Sequence, residues 1–145
     1  MRLKGLWISM KPNLLIVSHG NMAVETLKSA EMIVGEIANA NTVSMNATDG
    51  LSGTIEKIKS QINLDKPTLI MADLLGGTPC NSVVQVVGGT VNCKVISGFN
   101  LGMIIEYALC PDMSLEELQQ KLILSAKQAI QVVETNIDVD DLDED

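Results

Sequence analysis

The sequence predicts a single α/β domain with a mostly parallel central sheet and helices on both faces. Short apolar runs alternate with segments of helical periodicity, which is the order expected for right-handed strand–helix–strand units. Two of these runs, residues 14–17 and 69–72, are apolar without interruption, as is typical of strands buried on both faces. The length of 145 residues fits one domain with one substantial core.

The first half of the chain is predicted to supply two strand–helix units. A strand is expected over Asn13–His19 and a helix over Met22–Val34. Apolar residues in this helix recur at helical spacing: Ala23, Leu27, Ala30 and Val34. A weaker strand over residues 42–46 leads through a turn at Asp49 and Gly50 into a second helix. The second helix has a similar apolar stripe: Leu51, Ile55, Ile58 and Ile62.

The second half continues this alternation. A third strand is predicted over Thr68–Ala72 and a fourth over Cys93–Ser97. Between them a glycine turn leads into a third helix, with Thr78 as its N-cap and Pro79 as its first helical residue. Two glycines at 88–89 end that helix.

Two further helices complete the predicted domain. One runs from about Leu101 to Leu109 and stops before Pro111, because the residue before a proline disfavours helical backbone. The last helix begins at a capping box formed by Ser114 and Glu117. Its apolar stripe is long: Leu115, Leu118, Leu122, Ala126, Ala129 and Val133, widened by Ile130 and Val132.

The segment after the last helix predicts an assembly. Ile137 and Val139 continue the apolar pattern with a period of two, which indicates a short strand. A small monomer covers such apolar surface poorly, and a strand from a second chain would protect an open sheet edge. We therefore expect a homodimer held partly by residues 130–139.

Charge and the start of the strand pattern divide the chain into three parts. The net charge of −8 is concentrated at the C-terminal end, where residues 134–145 include seven acids, and the rest of the chain is close to neutral. The strand pattern begins just after Met10, so we expect an N-terminal extension (1–11) and one domain (12–137), followed by a solvated acidic tail (138–145).

Composition also excludes several classes of function. Aromatic residues make up 2% of the chain, and no basic face is visible, so no nucleic acid partner is expected. No apolar run approaches the ~20 residues needed to cross a bilayer, so we expect no direct membrane insertion. The three cysteines fit neither a disulfide framework nor a zinc site, which indicates reduced thiols in the cytoplasm and no metal.

One rim of the predicted sheet gathers the residues with reactive chemistry. Parallel strands end at the same edge, so His19 and Asp73 are expected to be neighbours. Asp73 can accept the Nδ1–H bond of the imidazole and leave Nε2 free to attack phosphorus, while Thr78 and backbone N–H groups at helix starts supply donors for phosphate. Two alternatives stay open: His19 can be a packing residue, and Asp73 can merely cap a turn.

Three segments of this rim resemble a known family: IVSHG (16–20), ADLLGGTPCN (72–81) and ISGFNLGM (96–103). In order and spacing they resemble the IIA component of the mannose family of the bacterial phosphoenolpyruvate-dependent sugar phosphotransferase system. The resemblance implies that His19 is the phosphorylated histidine and that Asp73 is its hydrogen-bonding partner. It also implies a set of phosphoryl-binding residues: Gly20, Asn21, Gly77 and Thr78.

By the same resemblance the protein is a homodimeric phosphotransferase without a metal or other cofactor. Such a protein takes phosphate from the histidine-containing phosphocarrier HPr and passes it to a IIB component for sugar uptake. Two other functions stay open: a phosphocarrier that feeds dihydroxyacetone kinase, and a non-catalytic module that binds phosphate. The resemblance also implies that the membrane subunits of the system, and not this component, select the sugar.

Overall fold

The computed structural model describes residues 10–136 together with the backbone of two short strands nearer the amino terminus. These strands, β1 (Arg2–Leu3) and β2 (Leu6–Trp7), pair with each other in antiparallel fashion. The strand predicted at Ile137 and Val139 and the acidic tail lie outside the described residues.

The centre of the molecule is a four-stranded sheet in which every pair is parallel. Its strands are β3 (Asn13–His19), β4 (Ala40–Met45), β5 (Thr68–Ala72) and β6 (Cys93–Ser97). Their order across the sheet is β4-β3-β5-β6, which makes β3 and β5 the central strands. The predicted parallel sheet is confirmed.

Five helices connect the strands and cover both faces of the sheet. They are α1 (Met22–Val34), α2 (Gly50–Gln61), α3 (Thr78–Val87), α4 (Leu101–Leu109) and α5 (Leu115–Gln128). Buried side chains of α1, α4 and α5 form one core with one face of the sheet, and those of α2 and α3 form a second core on the other face. The predicted layering of helices on both faces is therefore confirmed.

Strand β3 shows why its sequence is apolar at every position. Leu14 and Ile16 join the core under α1, α4 and α5, whereas Leu15 and Val17 join the core under α2 and α3. Successive side chains of a strand point to opposite faces, and both faces are covered here, so neither face tolerates a charged side chain.

Several predicted boundaries are wrong by a few residues. Strand β4 begins at Ala40 and ends at Met45, rather than covering residues 42–46. Helix α3 has Gly77 as its N-cap, so Thr78 is the first helical residue instead of the cap. In α2 the predicted stripe residue Leu51 is 39% exposed, whereas Thr54 is fully buried. Thr54 can occupy the core because its hydroxyl donates to the Gly50 carbonyl oxygen, 2.6 Å away.

The end of α5 also differs from the prediction. Ser114 caps this helix as predicted, because its Oγ accepts the Glu117 N–H at 3.2 Å. The apolar stripe, however, is buried only at Leu118, Leu122 and Ala126, and the helix ends at Gln128. Ala129 and the apolar residues that follow it are exposed, because past Gln128 the chain leaves the helix and its core-facing side. No helix within residues 10–136 is long and apolar enough to span a membrane.

Candidate functional site

An imidazole and a carboxylate form a bonded pair at the carboxyl edge of the sheet. His19 ends β3, and Asp73 follows the last residue of β5, the neighbouring parallel strand. Oδ2 of Asp73 lies 2.7 Å from Nδ1 of His19 and accepts the backbone N–H of His19 at 2.8 Å. The structure therefore brings together the two residues that the sequence predicts as neighbours.

This double contact fixes both the tautomer and the direction of the ring. A carboxylate oxygen only accepts hydrogen bonds, so Nδ1 of His19 carries the proton and Nε2 carries the lone pair. Nε2 has no hydrogen-bond partner among the described residues, and the His19 side chain is 46% exposed. The nucleophilic nitrogen is thus free while the other nitrogen is held.

The carboxylate that holds the ring is itself removed from solvent. The Asp73 side chain is 8% exposed, and its second oxygen, Oδ1, is buried without a hydrogen-bond partner among the described residues. A buried carboxylate oxygen without donors is poorly solvated, so nearby positive charge stabilises it strongly. Asp73 is therefore well placed to stabilise an imidazolium at His19.

Gly77 forms the wall against which the imidazole lies. A Cβ atom at this position would meet Cε1 of His19 at 2.9 Å and Nε2 at 3.6 Å, and the first of these distances is shorter than real Cβ contacts. The preceding residue, Gly76, has φ +82, and its carbonyl oxygen accepts a hydrogen bond from Asn81 at 3.2 Å. The turn after Asp73 needs glycine for two separate reasons, backbone conformation at Gly76 and close approach at Gly77.

Two helices begin next to this pair. Helix α1 starts at Met22 with Asn21 as its N-cap, and α3 starts at Thr78 directly after Gly77. The side chains of Asn21 and Thr78 have no hydrogen-bond partner among the described residues. Unpaired amides and the positive end of the helix dipole make such starts favourable for anions.

Gly20 connects the histidine to α1. Its φ is +53, and its N–H donates to the carbonyl oxygen of Met45 at 2.8 Å. The bond ties the turn after His19 to the neighbouring strand β4 and uses the one backbone donor that Gly20 has.

An ion pair holds the loop that follows β4, beside this turn. Asp49 Oδ2 accepts from Lys57 Nζ at 2.7 Å and from the Asn46 N–H at 2.6 Å. These hydrogen bonds lower the pKa of the Asp49 carboxyl below its usual value of 3.8, and the bond from Lys57 has the larger effect. Within residues 10–136 no basic side chain bonds to His19 or Asp73, and no group of three or more potential metal ligands occurs.

Sequence reasoning missed Ser18 and Asn100. Ser18 is fully buried, and its hydroxyl bonds to two backbone groups around the start of α1. Asn100 caps α4 by accepting the Met103 N–H at 3.0 Å. Two features of the sequence could have pointed to them. Ser18 is a lone polar residue in an apolar strand, and Asn100 is an asparagine directly before a helix.

The loop between Asp73 and Gly76 carries two exposed apolar side chains and leads into the Gly77 wall of the histidine. Leu74 and Leu75 are 59% and 79% exposed. The Leu74 carbonyl oxygen accepts the Gly77 N–H at 3.2 Å, which holds the loop in place. These leucines are therefore accessible to another protein that approaches the loop.

Comparison with known proteins agrees with this geometry. The family model described as "PTS system fructose IIA component" matches residues 13–134. The sorbose-specific EIIA component of Lacticaseibacillus casei is 32% identical over 76% of this chain and 82% of its own length. The mannose-specific EIIAB component of Escherichia coli K12 is 29% identical over 83% of this chain, which spans only 39% of that longer protein.

A solved structure gives the same result for the fold. The mannose/sorbose-specific IIA subunit from Enterococcus faecalis is 44% identical and has a TM-score of 0.82, with 88% of this chain and 98% of that chain covered. Sequence, fold and family match thus agree with the resemblance carried by the three rim segments. This chain belongs to the mannose family of IIA components of the sugar phosphotransferase system.

Proposed function

We propose that this chain is a phosphocarrier that accepts a phosphoryl group on His19 from phospho-HPr and passes it to a IIB component. The observation that carries the proposal is the His19–Asp73 pair, in which a buried carboxylate holds Nδ1 and Nε2 has no hydrogen-bond partner within residues 10–136. Family membership supports the proposal, because IIA components are parts of the sugar phosphotransferase system.

The transfer step needs no movement of a proton. The Nε2 lone pair of His19 attacks phosphorus in the donor's phosphohistidine, and a new N–P bond forms as the donor's N–P bond breaks. The donor ring, which is protonated on its other nitrogen, keeps the bonding electron pair and therefore leaves as a neutral imidazole. The His19 ring keeps its Nδ1 proton and becomes positively charged, and the Asp73 carboxylate stabilises that charge. The same step in reverse, with a IIB component as acceptor, returns His19 to its neutral form.

Four residues are proposed to form the phosphoryl site: Gly20, Asn21, Gly77 and Thr78. The side chains of Asn21 and Thr78 have no other partner among the described residues, and both lie at helix starts whose amides favour anions. Gly77 leaves room for the ring beside α3. Gly20 contributes its turn rather than a donor, because its N–H is already bonded to Met45.

We also propose a homodimer that works in the cytoplasm without a cofactor. Strand β6 is one of the two edges of the sheet, and its outer side pairs with no other strand in the described part of the chain. Ile130, Val132 and Val133, which follow α5, are 79%, 99% and 76% exposed. A second chain paired at this edge would cover both features. Sedimentation at micromolar concentration should give the mass of two chains, and a monomeric mass would reject the dimer alone.

Reconstitution of the relay tests the proposed function. The chain is incubated with labelled phosphoenolpyruvate and the enzyme that phosphorylates HPr, with and without HPr. We expect acid-labile label on the chain only when HPr is present, and loss of that label when a mannose-type IIB component is added. A chain that stays unlabelled would contradict the proposal, as would label that moves to a dihydroxyacetone kinase subunit and not to IIB.

A further inference from the structure

Ser18 is the only polar residue in the buried stretch of β3, and it directly precedes His19. Its side chain is fully buried. The hydroxyl accepts the Ala23 N–H at 2.7 Å and donates to the Gly20 carbonyl oxygen at 3.3 Å. Both bonds reach across the turn that joins the histidine to α1.

The first of these bonds replaces the usual cap of α1. A helix leaves its first four N–H groups without partners inside the helix, and an N-cap side chain normally accepts one of them. Asn21 is the N-cap here, yet its side chain makes no capping bond, and its backbone has φ −92 and ψ 9. Ser18 therefore caps the helix from the strand, through Ala23.

The second bond completes a clamp around Gly20. Ser18 holds the Gly20 carbonyl group, and the Met45 carbonyl oxygen holds the Gly20 N–H at 2.8 Å. Both backbone groups of the one residue between His19 and Asn21 are thus fixed. The nucleophile and the start of α1 cannot shift against each other without breaking one of these bonds.

From this arrangement we infer that Ser18 is a positioning residue for phosphoryl transfer. Its hydroxyl locks the amides at the start of α1 at a set distance from Nε2 of His19. By bonding Ala23, it leaves the amides of Asn21 and Met22 and the Asn21 side chain for the phosphoryl oxygens. The inference rests on the proposed function, and phosphoryl transfer depends mainly on positioning and electrostatic support.

The test compares hydroxyl-deleting variants in rapid-quench phosphorylation by phospho-HPr. Ser18→Ala should lower the saturating rate roughly 10- to 100-fold, because small misplacements of a reacting group cost about that much. The KM for phospho-HPr should stay within about twofold of wild type, since the outer surface is unchanged. Thr54→Val is the matched control, because it removes a hydroxyl from an equally buried side chain in α2 and should leave both parameters unchanged.

A second pair of variants covers the case in which Ser18→Ala does not fold. Ser18→Thr and Ser18→Val have the same shape and differ only in the hydroxyl, so Ser18→Thr should transfer at least about tenfold faster than Ser18→Val. Amide spectra of the wild-type chain add a measurement without any variant. The Ala23 amide should be protected from exchange, and the Asn21 and Met22 resonances should move most on phosphorylation.

Several results would overturn the inference while leaving the proposed function intact. One is a Ser18→Ala variant that transfers at the wild-type rate, whether its labelled fraction is normal or smaller. The others are equal rates in Ser18→Thr and Ser18→Val, and an Ala23 amide that exchanges without protection. A wild-type chain that accepts no phosphoryl group at all would instead reject both the proposed function and the role of Ser18.

Discussion

Oδ2 of Asp73 accepts two hydrogen bonds from one residue, His19, through its ring nitrogen at 2.7 Å and through its backbone N–H at 2.8 Å. The strand end and the side chain it carries are therefore fixed by the same oxygen atom. Strand pairing between β3 and β5 places Val17 opposite Ala72, which sets the two partners side by side. The position of the nucleophile thus follows from sheet register.

The first prediction concerns this carboxylate. Asp73→Asn should slow phosphoryl acceptance roughly 10- to 100-fold without abolishing it, because an amide can still orient the ring but cannot stabilise the positive charge that develops on it. Single-turnover rates with phospho-HPr measure the effect. Asp65→Asn, in an exposed loop before β5, is the control and should transfer at the wild-type rate. Equal rates in Asp73→Asn and wild type would reduce Asp73 to a turn residue.

The second prediction concerns the wall of the site. Gly77→Ala should displace the imidazole, because the new methyl group would lie 2.9 Å from Cε1 of His19, and we expect a loss of about tenfold or more in transfer rate. Gly102→Ala is a matched control inside α4, where a Cβ meets its nearest atoms at 3.7 Å. That variant should keep the wild-type rate and gain about 0.5–1 kcal/mol in unfolding free energy. A fully active Gly77→Ala would show that the ring need not touch α3.

The third prediction concerns the exposed leucines. Leu75→Lys should raise the KM for phospho-HPr about tenfold and leave the saturating rate within about twofold, because it places a charge in an apolar contact without touching the nucleophile. Val91→Lys makes the same change at a residue that is 88% exposed. Val91 lies in the turn before β6, at the amino ends of the strands and away from the site, so this variant should change neither value. An unchanged KM in Leu75→Lys would exclude this loop from the docking surface.

The fourth prediction concerns pH and the loop after β4. The pKa of Asp49 is lower in the folded chain than the ordinary value of 3.8, so the ionised carboxylate stabilises the fold at pH values above that. This stabilisation should be lost as the pH falls below the ordinary pKa of 3.8 and then through the lower pKa of the folded chain. The free energy of unfolding in urea is measured for wild type and Asp49→Asn from pH 7 to pH 2. The two values should differ at neutral pH and converge in acid. Values that differ by a constant amount would contradict the assignment.

Much of the site follows from sequence because it depends on strand ends. Uninterrupted apolar runs identify β3 and β5, and the parallel order then makes His19 and Asp73 neighbours. The role of Ser18 could not be read in the same way, because it depends on a hydroxyl rotamer and on Asn21 failing to cap its own helix. The role of Gly77 as a wall depends on tertiary approach, which a glycine in a turn does not reveal.

The wrong boundaries have related causes. Helical spacing alone cannot separate Leu51 from Thr54 as the core residue of α2, because the burial of Thr54 depends on its bond to the Gly50 carbonyl oxygen. Spacing also cannot show where α5 ends, since the apolar pattern continues past Gln128 into a segment that is exposed. Both errors arise because periodicity reports apolar residues and not what covers them.

We expect Nε2 of His19 to carry the phosphoryl group, and nuclear magnetic resonance of the phosphorylated chain can locate that group on one ring nitrogen. The wild-type chain is incubated with phosphoenolpyruvate and the general phosphotransferase proteins, including HPr. Its phosphorus spectrum should then show one phosphohistidine signal. Nitrogen coupling should assign the signal to Nε2, with Nδ1 protonated. Folded His19→Ala should show no such signal. A phosphoryl group on Nδ1, or acid-labile label retained by folded His19→Ala, would show that Nε2 of His19 is not the carrier.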